Sequence, residues 1–145
     1  MSLSRLDIKI LQLLQQDARI TNQHLADEIG LSGSPTWRKV RKLEEDDVIQ
    51  VFRAVINRKK ICLDVMVFVR VTIDSKSEAK TRKFEQEVMA LDNVVSCYSI
   101  DDDADFFLQV VAADMDAYMD LANSVIPRLP KIKEMQNILV MKEIK

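Results

Sequence analysis

Glycine, cysteine and histidine are scarce in this chain of 145 residues, which has two glycines, two cysteines and one histidine. Two glycines are too few for a glycine-rich phosphate loop, which excludes nucleotide-binding enzymes of that type. Cys62 and Cys97 lie far apart and His24 is the sole imidazole, so neither a zinc site nor a Cys–His catalytic pair can form locally. We therefore expect no metal, no cofactor and no enzymatic activity, and we expect both cysteines to be small buried hydrophobic residues.

Long apolar runs are absent as well. The chain has no stretch of about 18 consecutive apolar residues, and its start, MSLSRLDIKI, lacks the apolar core of a signal peptide. The sequence therefore predicts no membrane segment and a cytoplasmic location. Its 48% hydrophobic and 30% charged residues are typical of a folded protein with one domain or two small ones.

Charge is distributed unevenly along the chain, although the net charge is only -2. Residues 1–60 contain 11 Lys and Arg against 8 Asp and Glu, whereas residues 61–145 contain 10 against 15. A basic half is suited to the phosphates of a nucleic acid, and an acidic half is repelled by them. The two halves are therefore predicted to have different functions.

The first 30 residues predict two short helices. Apolar residues recur at helical spacing after Ser4 and Asp7, which are placed as a capping box. Thr21 is a suitable N-cap for a second helix, and Gly30 can take the left-handed conformation that ends it with a sharp turn. The small Ala26 would let this helix cross its neighbour closely.

A third helix is predicted within residues 31–49, LSGSPTWRKVRKLEEDDVI. Pro35 suits its first turn, and we expect Trp37, Val40 and Leu43 to form its buried side. A glycine turn between the second and third helices is typical of a helix-turn-helix, whose third helix enters the DNA major groove. The four acidic residues at 44–47 would mark the point where this helix leaves the groove.

The basic helix then suggests individual DNA contacts. Ser34, Thr36 and Arg38 are of the types that contact base edges, and the cations after them are of the type that neutralises phosphates. The start of the second helix offers backbone N–H groups to a phosphate. The candidate DNA-binding residues are Thr21, Asn22, Gln23, Ser32, Ser34, Thr36, Arg38, Lys39, Arg41 and Lys42.

Strands and helices alternate in the second half. Residues 65–73 alternate strictly between two faces, and the complete pattern predicts the order βαββαβ of a ferredoxin-like fold. The predicted class is α+β, with a winged-helix-like helix-turn-helix domain at residues 1–50, a strand linker at 51–62 and a βαββαβ domain at 63–145. Two helices cover one face of such a sheet, so we expect the other face, with Met66 and Phe68, to form a dimer.

The blocks DIKILQLLQQDARIT and LADEIGLSGSPTWRKVRKLEEDDVI, followed by a linker and a βαββαβ domain, resemble the Lrp/AsnC (leucine-responsive, feast/famine) family of transcriptional regulators. The resemblance covers essentially the whole chain. It implies a regulator that binds double-stranded DNA, responds to a small molecule such as an amino acid, and forms dimers that assemble further, often to octamers.

Two positions depart from the family pattern. Asp47 stands where the family usually has glycine, so an aspartate must adopt the conformation that glycine takes at the helix end. In the segment IDDDADFF, the resemblance places Asp102 at a glycine beside the effector pocket and Asp105 at the family's aspartate. The candidate effector-binding residues are Asp101, Asp102, Asp103 and Asp105.

This aspartate-rich segment has three interpretations. Four carboxylates that repel one another could bind a divalent cation or a cationic ligand. They could instead change the effector preference by contacting an amino group. The interpretation that we favour is an exposed connection rich in turn-forming aspartate.

A function of a different class is the alternative. The chain could be a metabolite- or metal-binding ferredoxin-like module whose helical head docks on a protein. Such a head does not need four cations on one short helix, so the sequence favours the DNA-binding regulator.

Overall fold

Three helices form the first part of the fold, and residues that favour helix starts and helix ends flank them. The structure is a computed structural model that describes residues 2–74, 77–100, 105–129 and 132–144. It divides the chain into the units Met1–Ile56 and Asn57–Lys145. The helices of the first unit are α1 (Arg5–Gln16), α2 (Asn22–Ile29) and α3 (Gly33–Glu45).

The predicted caps of α1 and α2 are confirmed. The hydroxyl of Ser4 accepts the N–H of Asp7, and the Asp7 carboxylate accepts the N–H of Ser4 at 2.9 Å, which completes the capping box. Thr21 caps α2 by accepting the N–H of His24 at 3.2 Å. Gly30 ends α2 in the left-handed conformation, with φ at 71°.

The end of α3 also follows the prediction, because Asp47 has φ at 56°. The N–H of Val48 donates to the Leu43 carbonyl at 2.9 Å, and the N–H of Asp47 donates to Glu44 at 3.0 Å. These two bonds form a Schellman motif, in which the residue after the cap is left-handed. An aspartate therefore occupies a conformation that glycine would adopt with less strain.

The core of the first unit is small. Ile10, Leu25, Ile29 and Leu43 are buried together, with partly buried leucines, isoleucines and valines around them. Ala26 is fully buried in α2. The described helices include none that is long and apolar enough to cross a membrane.

The segment after the three helices corrects a prediction. Residues 51–57 contain no strand, although we expected a strand linker there. A strand requires a hydrogen-bonded partner, and β-prone residues alone do not provide one. A 3₁₀ turn follows at Arg58–Ile61, and Cys62 after it is left-handed and exposed, so its predicted burial is also wrong.

The second unit is a four-stranded antiparallel sheet with helices. Its elements are β1 (Val65–Ile73), α4 (Glu78–Met89), β2 (Val94–Ile100), β3 (Asp105–Ala112), α5 (Met115–Asp120), a π-helical turn (Leu121–Val125), a 3₁₀ turn (Ile126–Arg128) and β4 (Ile132–Leu139). The strand order β2-β3-β1-β4 is that of the predicted ferredoxin-like fold. The α+β class is therefore confirmed.

One face of this sheet and the helices enclose a large apolar core. Val67, Val69 and Val71 of β1 point into it, as their alternation predicted. Phe84 of α4 is fully buried against Phe106 of β3, with ring centroids 4.5 Å apart. Cys97 packs against the same core, and burial, with the charge of Glu85, raises the pKa of its thiol to about 11.

The last helix differs from its prediction in shape. We expected one helix from Asp114 to the prolines, and Asp114 does cap it, accepting the N–H of Ala117 at 2.7 Å. The α-helix ends after six residues and continues as the π-helical and 3₁₀ turns. Pro127 lies in the second of these turns, because a proline cannot donate an α-helical hydrogen bond.

Candidate DNA interface and effector region

The turn between α2 and α3 is fixed by short contacts. The N–H of Leu31 donates to the Ala26 carbonyl at 3.0 Å, which closes the end of α2. The side-chain amide of Asn22 donates to the Gly33 carbonyl at 2.9 Å, and a Cβ atom at Gly33 would lie 3.3 Å from that nitrogen. Asn22, predicted to contact phosphate, therefore already uses one donor to hold the start of α3.

The buried side of α3 is formed by Thr36, Val40 and Leu43, which corrects two predictions. Thr36 is fully buried and its hydroxyl donates to the Ser32 carbonyl at 2.9 Å, so it has no surface for a base edge. Trp37, predicted to be core, is 54% exposed. Successive residues of a helix differ by about 100° in direction, and the choice of Thr36 for the core turns Trp37 outward.

Lys39 connects α3 to α1. Its ammonium lies 2.8 Å from the Asp7 carboxylate, and both side chains are partly buried. This bond, together with the Ser4 hydroxyl, lowers the pKa of Asp7 to about 2. Lys39, predicted to neutralise a phosphate, is thus committed to holding the basic helix against α1.

Three other cations of α3 remain on its exposed side. The side chains of Arg38 and Lys42 make no hydrogen bond or ion pair with any part of the chain that the structure describes. Arg41 is exposed, pairs with Glu45 at 3.1 Å and lies over the Trp37 ring, 5.7 Å from its centroid. Ser32 and Ser34 are exposed at the start of the helix.

The start of α2 lies on the surface, as a phosphate contact would require. Thr21 and Gln23 are exposed there. The Thr21 hydroxyl is occupied by its cap, and the Gln23 amide donates to Asp27 at 3.0 Å. The first turn of a helix leaves backbone N–H groups without helical acceptors, and these groups are the part of α2 available to an anion.

The second unit has an uncovered sheet face with an apolar and a polar end. Phe68 of β1 stacks on Phe107 of β3 at 5.3 Å, and Tyr98 and Ile138 are exposed on the flanking strands. At the polar end, Asp105 of β3 accepts a hydrogen bond from the Thr72 hydroxyl at 2.6 Å and pairs with Arg70 at 3.0 Å. The hydrogen bond from the Thr72 hydroxyl has the larger effect and that from the Arg70 guanidinium the smaller one, and both hold the pKa of Asp105 below its usual value.

The polar end borders an open cavity of about 780 Å³, lined by Arg70, Thr72, Asp105, Lys133, Glu134, Met135 and Gln136. Of the four aspartates predicted to bind an effector, Asp105 lies here, and Asp101, Asp102 and Asp103 lie outside the described residues. The described residues contain no group of three or more potential metal ligands. Arg70 and Thr72, which sequence reasoning missed, are the immediate partners of Asp105.

Comparison with known proteins assigns both units. A family model for a winged helix-turn-helix DNA-binding domain matches residues 3–50, and one for the Lrp/AsnC ligand binding domain matches residues 66–145. The Bkd operon transcriptional regulator of Pseudomonas aeruginosa is 32% identical over 98% of this chain and 93% of its own. The leucine-responsive regulatory protein of Escherichia coli is 33% identical over 99% of this chain and 87% of its own.

Solved structures agree with these matches. An L-Met complex of a transcriptional regulator from Neisseria meningitidis has a TM-score of 0.91 and 30% identity, covering 99% of this chain and 93% of that one. An AsnC family regulator from Agrobacterium tumefaciens has a TM-score of 0.90 and 34% identity with the same coverage. These relatives are transcriptional regulators, a family not known for enzymatic activity. The chain is a DNA-binding, ligand-modulated transcriptional regulator and belongs to the Lrp/AsnC family.

Proposed function

We propose that the regulator binds specific DNA sequences through α3. Arg38 and Ser34 would contact base edges, and Arg41 and Lys42 would contact phosphates. The observation that carries this assignment is that Arg38 and Lys42 are exposed and uncommitted on the helix that follows a closed helix-turn-helix turn. Ser32 and the start of α2 at Thr21–Gln23 would contact flanking phosphates. Lys39 and Thr36 instead hold the helix in place.

The proposal includes a dimer that packs the uncovered sheet faces of two copies together. The apolar surface of this face supports the dimer, because its burial between two copies would favour their association. The surface includes the exposed Tyr98 and Ile138 and the stacked Phe68 and Phe107. A two-fold dimer carries two copies of α3, which suits a palindromic site. Further assembly, such as an octamer, belongs to the same proposal.

We further propose that the effector is an amino acid and that it acts at residues 63–145, after a DNA-binding domain at 1–50 and a linker at 51–62. The L-Met complex of the Neisseria relative supports the ligand class. The aspartate-rich segment at 101–105 would contact the effector, and its one described aspartate lies beside a polar cavity. Because its target is chromosomal DNA, the regulator would act in the cytoplasm.

Substitutions in α3 test the DNA assignment. The wild-type protein first selects duplexes from a random library, and binding is then measured at several salt concentrations. Arg38→Ala should lose about 1 to 3 kcal/mol of discrimination at one base position. Lys42→Ala should weaken all duplexes similarly and reduce the salt slope by about one unit.

Lys142→Ala, which removes an exposed cation of the second unit, is the matched control and should change neither quantity. Equal losses on selected and random DNA for Arg38→Ala would refute its role at a base edge. Sedimentation of Phe68→Glu tests the dimer, which this buried charge should dissociate. Calorimetry with a panel of amino acids tests the effector class.

A further inference from the structure

Trp37 is an exposed tryptophan on the helix that enters DNA, and it has no role in the contacts assigned above. It is the only tryptophan in the chain. Just over half of its surface faces solvent, while its neighbour Thr36 occupies the core position. A large apolar ring here exposes apolar surface that a partner could bury.

The spacing of residues along α3 places Trp37 among the proposed DNA contacts. Ser34, Trp37, Arg38 and Arg41 occupy positions i, i+3, i+4 and i+7, which share one helix face. All four are exposed, and the buried side of the helix lies opposite. Any duplex that Arg38 and Ser34 contact at base edges therefore also faces the indole ring.

Arg41 restricts the orientation of that ring. Its guanidinium lies 5.7 Å from the ring centroid and is itself held by Glu45 at 3.1 Å. The cation covers part of the indole and leaves another part of it open. A guanidinium that touches both the ring and a phosphate would hold Trp37 against the adjacent groove.

We propose that Trp37 is a specificity-determining residue that packs against the 5-methyl group of a thymine in the major groove. This inference rests on the proposed binding of DNA through α3. The thymine methyl is the apolar group that the major groove presents, and it accounts for an apolar residue in a polar, cationic stripe. The charge around Trp37 favours DNA over a second copy of the same surface, since Arg38, Arg41 and Lys42 would repel their counterparts.

Intrinsic fluorescence tests the contact without any substitution, because all tryptophan emission comes from this position. We expect a duplex selected from a random library to protect Trp37 from acrylamide quenching by at least about threefold, since stacked or packed indole is shielded from solvent. A scrambled duplex of equal composition, bound at low salt, should protect it less. Full acrylamide access in the selected complex would overturn the proposal.

Removal of single methyl groups identifies the thymine. Each thymine of the selected duplex is replaced in turn by deoxyuridine, which lacks the methyl and keeps the hydrogen-bonding edge. One replacement should weaken wild-type binding about fourfold, as expected for one buried methyl group. The same replacement should have almost no effect on Trp37→Ala, so that the pair shows coupling in a double-mutant cycle.

Different results would contradict the thymine contact and the binding of DNA through α3. If Arg38→Ala relaxes specificity and no deoxyuridine replacement couples to Trp37→Ala, α3 binds DNA and the thymine contact is wrong. If the wild-type protein enriches no sequence from the random library, the proposed sequence-specific binding of DNA is itself wrong. Trp37→Phe, which keeps an apolar ring, should retain most of the coupling, and circular dichroism checks that both variants fold.

Discussion

The two units of this regulator are stabilised in different ways. In the first, a few buried side chains are supported by polar contacts at helix ends: the Ser4–Asp7 capping box, the Asp7–Lys39 ion pair and the turns at Gly30 and Asp47. In the second, a sheet face and its helices bury a much larger set of apolar residues. A small helical unit cannot bury much surface, so its helix ends carry more of its stability.

The two units also differ in the surfaces that they leave exposed. The helical unit exposes the face of α3 that carries Trp37, Arg38 and Arg41. The sheet unit exposes Tyr98 and Ile138 beside stacked phenylalanines. The first surface is suited to an anionic partner that also presents apolar groups. The second is suited to another apolar surface. Loss of packing should therefore act mainly on the second unit, and loss of polar contacts mainly on the first.

The largest expected effect is on the apolar unit. Phe84→Ala removes a fully buried ring that packs against Phe106 and should cost the second unit about 3 to 5 kcal/mol. Hydrogen exchange monitored by NMR measures this at single amides. Protection should fall at β1 and β3 and stay unchanged at Leu25 and Leu43 of the first unit. A loss shared equally by both sets of amides would show that the two units do not differ in this way.

Asp7→Asn tests the polar unit, with an expected cost of about 1 to 2 kcal/mol from the cap and the ion pair together. Because folding lowers the pKa of Asp7 from 3.8 to about 2, its contribution is complete above pH 3.8 and is lost as the pH falls toward 2. The stability difference between wild type and variant should therefore shrink between pH 4 and 2. Urea unfolding at several pH values measures it, with the exposed Glu143→Gln as control. A difference independent of pH would contradict the assignment.

Asp47→Gly should stabilise the first unit by about 0.5 to 1 kcal/mol, because glycine adopts a φ of 56° without steric strain. Asp47→Ala, which has a Cβ atom and no polar group, is the control and should bring no such gain. Thermal unfolding distinguishes the two. A destabilising glycine would show that the aspartate side chain contributes more than its strained backbone costs.

Thr36→Val should have the smallest effect, less than about 1 kcal/mol, since it keeps the shape of a fully buried side chain and removes one hydrogen bond to Ser32. The preferred DNA sequence should stay the same, which library selection with the variant would determine. An altered sequence preference would show that Thr36 contributes to base recognition after all.

Local patterns predicted much of this molecule. The caps at Ser4 and Thr21, the left-handed Gly30 and the alternation of β1 depend on neighbours in sequence, and all are confirmed. The left-handed Asp47, which the family resemblance implies, is confirmed as well. The order βαββαβ followed from the same patterns, and it determined the sheet topology.

Contacts between distant residues were harder to predict. The partner of Lys39 is Asp7, 32 residues away, and Asp105 is held by Thr72, 33 residues away. Helical spacing places Trp37 on a face with Val40 and Leu43, which predicted a core position for it, although Thr36 fits the same spacing and is the residue that is buried. Residues 51–57 have strand-forming side chains and no strand partner, which side-chain propensity cannot reveal.

The clamping of α3 has a thermodynamic consequence. Asn22 fixes its first residue, Lys39 ties its middle to α1 and the Schellman motif closes its end, all without DNA. Little ordering of this helix is left to accompany binding. The heat-capacity change on complex formation should therefore be small and should match the apolar area buried at the groove, without the large negative excess of coupled folding.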